Sequence, residues 1–308
     1  MGSNDQRPRW ASVLLVLLPV WLVASGGGAL WYYFHLEKKE AQVEQARFAT
    51  AVSRSLLEDD LKKIVNVIGE RNTASETAAA NLSRMASMID GLLGPANTGY
   101  KVVKTQGQAA WPILQVTIAG KEKSPPPVWV LTSYDSRPGS KGAEANATGL
   151  AATLAAAQAL ARDEPDRPVH FVFLPHANDR ESPVVETAAK FQEMANRAGL
   201  PGAILCVESM GAGETLWLSS RDVSAAPLDL VSGLGKVVGA EVVCLGDDTD
   251  LASLLFEMDL PAVRVATRPL VTAAESDEKL PFAPTVAAST GRLIDLIRRC
   301  AKNEPASR

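Results

Sequence analysis

The sequence predicts an α/β fold: a largely parallel mixed sheet with helices on both faces, behind one N-terminal transmembrane helix and a helical stalk. Three observations predict it. Apolar runs of strand length alternate with helix-forming stretches from about residue 100 onward, the signature of βαβ units. Several of those runs are continuously apolar, as strands covered on both faces must be. Residues 11–34 contain no charge.

The apolar segment comes first. A helix of that length covers roughly 36 Å at ~1.5 Å per residue, enough for a hydrocarbon core of about 30 Å. Trp10 marks one end, and Trp31, Tyr32 and Tyr33 the other, where amphipathic rings prefer the interface. Pro19 and Gly26 to Gly28 are tolerated in such spans. The rival reading is a cleaved signal peptide, with Arg7 and Arg9 ahead of Val13 to Val23 and small residues from Ala24 to Ala29. The aromatic cluster beyond the glycines favours a retained anchor. Lysine and arginine counts on the two sides are near parity. The short N-terminus favours a cytoplasmic N-terminus and a soluble domain on the outer, periplasmic or lumenal, side.

The expected division is a tail over 1–10, the span over 11–34, a stalk over 35–60, the α/β domain over 61–302 and a tail over 303–308. The stalk could continue the membrane helix to about residue 67. Gly69 and Asn72 interrupt it, and Ser75 or Thr73 can cap a second helix running to about Leu93. Alternation marks strands at 100–105 and 112–119. Buried strands follow at 128–131, 170–174, 203–207 and 262–265, with further strands at 215–218 and 241–245. Helices fall at 150–161, 183–198, 226–238, 249–258 and 284–301.

A chain that is 46% hydrophobic and 21% charged can build a core. The net charge of −4 comes without a basic stripe and excludes a nucleic-acid partner. The three cysteines lack metal-site spacing, and Cys206 and Cys244 read as buried inert thiols. No G-x-S-x-G motif is present, and the stretch at Gly233 lacks P-loop spacing. Two sequons, at Asn81 and Asn146, matter only in a host that glycosylates secreted proteins.

In a parallel sheet, chemistry gathers at the carboxyl ends of the strands. Those ends carry an ordered set of segments: Ile68-Gly-Glu-Arg-Asn72, Leu131-Thr-Ser-Tyr-Asp135, Gly142-Ala-Glu-Ala-Asn-Ala-Thr-Gly149, Phe171 to Asn178, Val207-Glu-Ser-Met-Gly211, and Thr249-Asp250 ahead of Leu260-Pro-Ala-Val263. The set, from about residue 60 to 300, resembles the co-catalytic di-zinc aminopeptidases. That family also contains glutaminyl cyclases and the non-peptidases transferrin receptor, nicastrin and nicalin.

The resemblance implies where a metal site would lie. Two zinc ions need imidazoles, carboxylates and a carboxylate base. The family's H-x-D falls on Ser133 and Asp135, so only the aspartate survives. The bridging aspartate position is Ala145. The paired glutamates, base and ligand, fall on Ala177 and Asn178, and the next aspartate ligand on Glu208. The final histidine has no counterpart between Arg264 and Thr285. Of three histidines, only His176 lies near a strand's carboxyl end.

The expectation is therefore a chain without catalytic residues, metal or cofactor. It would be a membrane-anchored pseudo-peptidase that binds proteins or supports a membrane complex. The alternative is a residually active hydrolase with shifted ligands, for which Asp135, His176, Asp179, Glu181 and Glu208 supply a candidate polar cluster. Against that cluster, His176 and Asp179 read as solvated loop residues, and Asp135 and Glu208 as caps on backbone amides.

Overall fold

In the computed structural model the described residues are 52–106, 111–121, 126–178, 184–199, 202–220, 240–244, 251–260, 262–268 and 277–302, with 21, 25–28, 31–33 and 35 nearer the N-terminus. The chain divides into two compact units, Met1–Thr50 and Ala51–Arg308. Most of the expected span and stalk lies outside the described residues. In the first unit the described residues are helical, and Trp31 stacks on His35 with ring centroids 5.2 Å apart. Among the described residues no helix is long and apolar enough to cross a membrane.

The second unit is built on eight strands: β1 (Val103–Gln106), β2 (Pro112–Ile118), β3 (Val128–Ser133), β4 (Val169–Leu174), β5 (Ala203–Val207), β6 (Leu216–Ser220), β7 (Ala240–Cys244) and β8 (Ala262–Ala266). They form one sheet in the order β1-β2-β4-β3-β5-β8-β6-β7. The centre, β4-β3-β5-β8, is parallel, as the continuous apolar runs require. β1, β2 and the β6–β8 pair add antiparallel joins. The expected strand positions hold, with ends shifted by a few residues.

The described helices are α1 (Arg54–Lys62, continued by a π-helical turn at Lys63–Ile68), α2 (Glu76–Leu93), α3 (Pro95–Thr98), α4 (Ala147–Leu160), α5 (Val184–Ala198), α6 (Leu251–Glu257) and α7 (Ala283–Cys300). The expected helix over 226–238 lies outside the described residues. Successive strand side chains point to opposite faces, so each central strand feeds two cores. Val128, Val130, Phe171, Phe173, Leu205 and Val263 join α1, α2, α4 and α7 on one face. Trp129, Leu131, Val172, Ile204 and Ala262 meet α5 and α6 on the other. Helix α4 is buried along most of its length, because its alanines let it lie close to the sheet and to α7.

Local signals place the early helices. Ser75 caps α2 by accepting a hydrogen bond from the Ala78 amide. Gly69, at φ 78°, ends the π turn in a conformation that favours glycine. Helix α1, which the sequence assigns to the stalk, differs from expectation. Leu57 and Leu61 are buried in the core, and α1 packs against α4 and α7. Its apolar residues at i and i+4 form a stripe that needs a partner, and the domain supplies it.

His170 on β4 is half-buried beside Trp129, on the face covered by α5 and α6 and away from the carboxyl edge. Its Nδ1 lies 2.8 Å from Thr117 Oγ1 and 3.0 Å from Gln115 Nε2, and its ring packs on Trp129. Burial lowers its pKa from 6.5 to about 4. The unfolded chain therefore takes up this proton first as pH falls, and stability drops between about pH 6.5 and 4. That share reaches about 3 kcal/mol. Replacing His170→Gln is expected to flatten the fall in stability across this window, measured by denaturant unfolding at stepped pH.

Candidate functional site

The carboxyl ends of β3, β4, β5 and β8 meet the loops that the sequence singles out, and one hydrogen-bonded network holds them. Asp135, two residues past β3, is fully buried. Its Oδ2 accepts hydrogen bonds from the amides of Ala177 (2.9 Å) and Asn178 (2.8 Å), and its Oδ1 from Asn178 Nδ2 at 3.1 Å. Asp135 thus caps backbone amides, as the simpler reading of the sequence expects. Asn178 Nδ2 also donates to Ser133 Oγ at 2.7 Å. Ser133 takes a second donor, Asn146 Nδ2, which also reaches the Ser133 carbonyl at 2.6 Å.

The loop before α4 brings Ala145 to the same edge, with a cis peptide to Asn146. Asp277, which sequence reasoning missed, clamps this loop. Its carboxylate accepts from the Glu144 amide (2.6 Å) and the Ala145 amide (2.8 Å), and its carbonyl from the Ala143 amide (3.0 Å). Nothing in the surrounding polar run marks it out, since the contact spans more than a hundred residues. Glu144 Oε1 accepts from the Gly211 amide at 2.9 Å. Burial raises the Glu144 pKa, while the Gly211 hydrogen bond and the charge of Arg268 oppose the rise. Thr148 Oγ1 then receives the Met210 amide at 2.7 Å, tying α4 to the end of β5.

Arg71 binds the whole edge from below. It is fully buried, and its guanidinium donates to the carbonyls of Tyr134 (3.0 Å), Gly69 (2.6 Å) and Lys141 (3.0 Å). Burial lowers its pKa to about 10, against the opposing charges of Asp135 and Asp277.

Two expectations need correction. Glu208 forms a buried ion pair that the capping reading lacks: its Oε2 lies 2.6 Å from Arg264 Nε. Arginine in the middle of an otherwise apolar buried strand is the signal that sequence reasoning passed over, because a buried charge demands a partner. Nor is His176 a solvated loop residue. It is fully buried, with its ring edge-on to Trp111 at 5.6 Å. An aromatic partner at the start of the neighbouring strand β2 packs against it, a contact no local pattern reveals.

The candidate cluster of Asp135, His176, Asp179, Glu181 and Glu208 is not assembled in what can be described. Asp179 and Glu181 lie outside the described residues. The other three engage different partners, and among the described residues no three His, Cys, Asp or Glu side chains form a group fit for a metal ion. The donor set at this edge does not suit a pair of zinc ions. Ala145 and Ala177 offer no lone pair, and Asn178 and Ser133 are occupied with each other. The sequon asparagines are also engaged: Asn146 as above, and Asn81 through Nδ2 to the Glu70 carbonyl at 3.0 Å.

Comparison with known proteins bears on the fold and on its central segments. A model of Peptidase family M28 matches residues 114–177, which span β2 to the loop after β4. No curated protein sequence matches the chain. The fold is shared with the LapA aminopeptidase of Legionella pneumophila, at 14% identity over 86% of this chain and 75% of that one, with a TM-score of 0.67. A leucine aminopeptidase precursor from Bacteroides thetaiotaomicron matches 82% of this chain and 98% of its own at 13% identity, with a TM-score of 0.61. The glutaminyl cyclase of Porphyromonas gingivalis matches 80% and 98% at 14% identity, with a TM-score of 0.57. The resemblance to co-catalytic zinc aminopeptidases therefore extends to the fold.

Proposed function

We propose that this chain, which has the fold of the co-catalytic zinc aminopeptidases, is a non-catalytic pseudo-peptidase. It is held at a membrane by residues 11–34 and works as a binding or structural subunit of a membrane complex. One observation carries the loss of catalysis. The Asp135 carboxylate is spent on the amides of Ala177 and Asn178, the two positions where the family places its base and a ligand. A ligand carboxylate must present lone pairs to the metal, and a general base must present them to water. Here Asp135 instead holds the backbone, neither partner residue carries a carboxylate, and Glu208, the other acid at a family position, faces Arg264. Fold alone does not confer activity, so the composition of the edge outweighs the likeness.

The test is metal content. Full chain in mild detergent is expected to hold well under about one zinc per chain by mass-spectrometric metal analysis, and to leave aminoacyl-anilide substrates intact. Two tightly held zinc ions with chelator-sensitive aminopeptidase activity would establish a hydrolase with shifted ligands instead. For the assembly, native sizing of gentle membrane extracts is expected to find the chain in a larger particle. A clean monomer under all mild conditions would remove that part of the reading.

A further inference from the structure

We propose that Arg264 is the resident cation of this edge: its guanidinium takes the charge-balancing place of a metal ion beside Glu208, so the site keeps a carboxylate without binding metal. The inference rests on the non-catalytic reading above and assigns what replaced the metal.

Arg264 occupies the centre of β8, whose five residues are all buried, and its side chain is only 2% exposed. An unpaired charge there would cost several kcal/mol. The register explains its partner. β8 runs parallel to β5 with Arg264 opposite Cys206, so Glu208 lies two residues further along the neighbouring strand's path. That diagonal is within reach of two long side chains. The Glu208 amide donates to the Val265 carbonyl at 3.0 Å, which fixes the carboxylate's root beside β8. Oε2 then meets Arg264 Nε at 2.6 Å, while Arg264 Nη1 donates to the Arg268 carbonyl at 3.1 Å.

The extra methylene matters. At the position where the family carries aspartate, glutamate has the added length to reach sideways to the neighbouring strand's arginine. A divalent ion would compete for the same oxygen lone pairs, next to a buried positive charge that cannot leave. Repulsion between like charges a few ångströms apart in a poorly hydrated site disfavours that ion strongly.

A double-substitution cycle on the full chain tests the pairing. Arg264→Met is expected to lower the melting temperature by roughly 10 °C, because it removes the buried positive charge 2.6 Å from Glu208 Oε2. Arg264→Met with Glu208→Leu is expected to recover more than half of that loss. If Arg264→Met fails to fold, a folded double variant makes the same point. Zinc or chelator should leave the wild-type melting temperature unchanged. Additive losses, a double variant that also fails to fold, or a wild-type midpoint raised by zinc would overturn the proposal. Additive losses in a zinc-free, inactive wild type would remove the role of Arg264 alone. Zinc-dependent peptidase activity in the wild type would remove the non-catalytic reading itself.

Discussion

Gly149→Ala is expected to prevent the domain from folding, or to leave it unfolded in all but the mildest conditions. An alanine methyl at this position would sit 1.8 Å from the Glu208 carbonyl oxygen and 2.6 Å from its carbonyl carbon. No real contact is that short, and the obstacle is backbone rather than a side chain that can swing away. Neither partner can retreat. Gly149 lies in the first turn of α4, whose neighbouring residues are buried against the sheet, and Glu208 is hydrogen-bonded to β8. Overpacking typically costs about 1–3 kcal/mol where side chains can adjust. A clash with pinned backbone belongs at the upper end of single-residue effects, about 4–5 kcal/mol or more. Denaturant unfolding followed by circular dichroism would measure it. A variant within about 1 kcal/mol of wild type would show that α4 can slide along the sheet.

The second large effect is expected at Arg71. Replacement by Met keeps much of the side chain's volume but removes every donor from the carbonyls of Gly69, Tyr134 and Lys141. Each buried acceptor left without a partner costs about 1–3 kcal/mol, and the charge opposite Asp135 and Asp277 disappears with them. A loss of about 4 kcal/mol is expected, with proteolysis appearing first in the 136–146 loop. Arg71→Lys should recover little, since one ammonium cannot span carbonyls that the planar fork reaches from several sides. The comparison of Met and Lys variants by urea unfolding separates the need for geometry from the need for charge. If Lys restores stability, charge alone holds the edge.

These two residues sit in the segments through which the chain resembles zinc aminopeptidases, yet neither would touch a metal. Among the described residues, the polar side chains at this edge bond to their own neighbours. Asn146 and Asn178 both donate to Ser133, Asp135 accepts from amides, and Glu208 pairs with Arg264.

Much of the fold was legible in the residues alone. The runs Val128 to Leu131 and Ala203 to Val207 announce central strands because burial on both faces leaves no room for polar side chains. The cap at Ser75 and the stop at Gly69 were equally readable, since both depend on neighbours a few residues away. The edge of the sheet was readable as a place, because strand alternation locates the carboxyl ends. Asp135 could be assigned to backbone amides on the same ground: a lone carboxylate at a strand end has amides nearby.

What the tertiary structure decided were the pairings across distant segments. Helix 54–62 carries an apolar stripe that suits a stalk partner or a domain, and only packing against α4 and α7 selects the domain. His176 has a loop residue's surroundings in the sequence, and Trp111 buries it. Asp277 and Arg264 find Glu144, Ala145 and Glu208 across gaps of 133, 132 and 56 residues. By itself the sequence determined the elements, their order, the uncharged segment at 11–34 and which residue types stand at the positions that the family resemblance picks out. Those follow from local periodicity and from which atoms a side chain contains. Which charge neutralises which depends on strand register and side-chain direction, and these exist only once the sheet has formed.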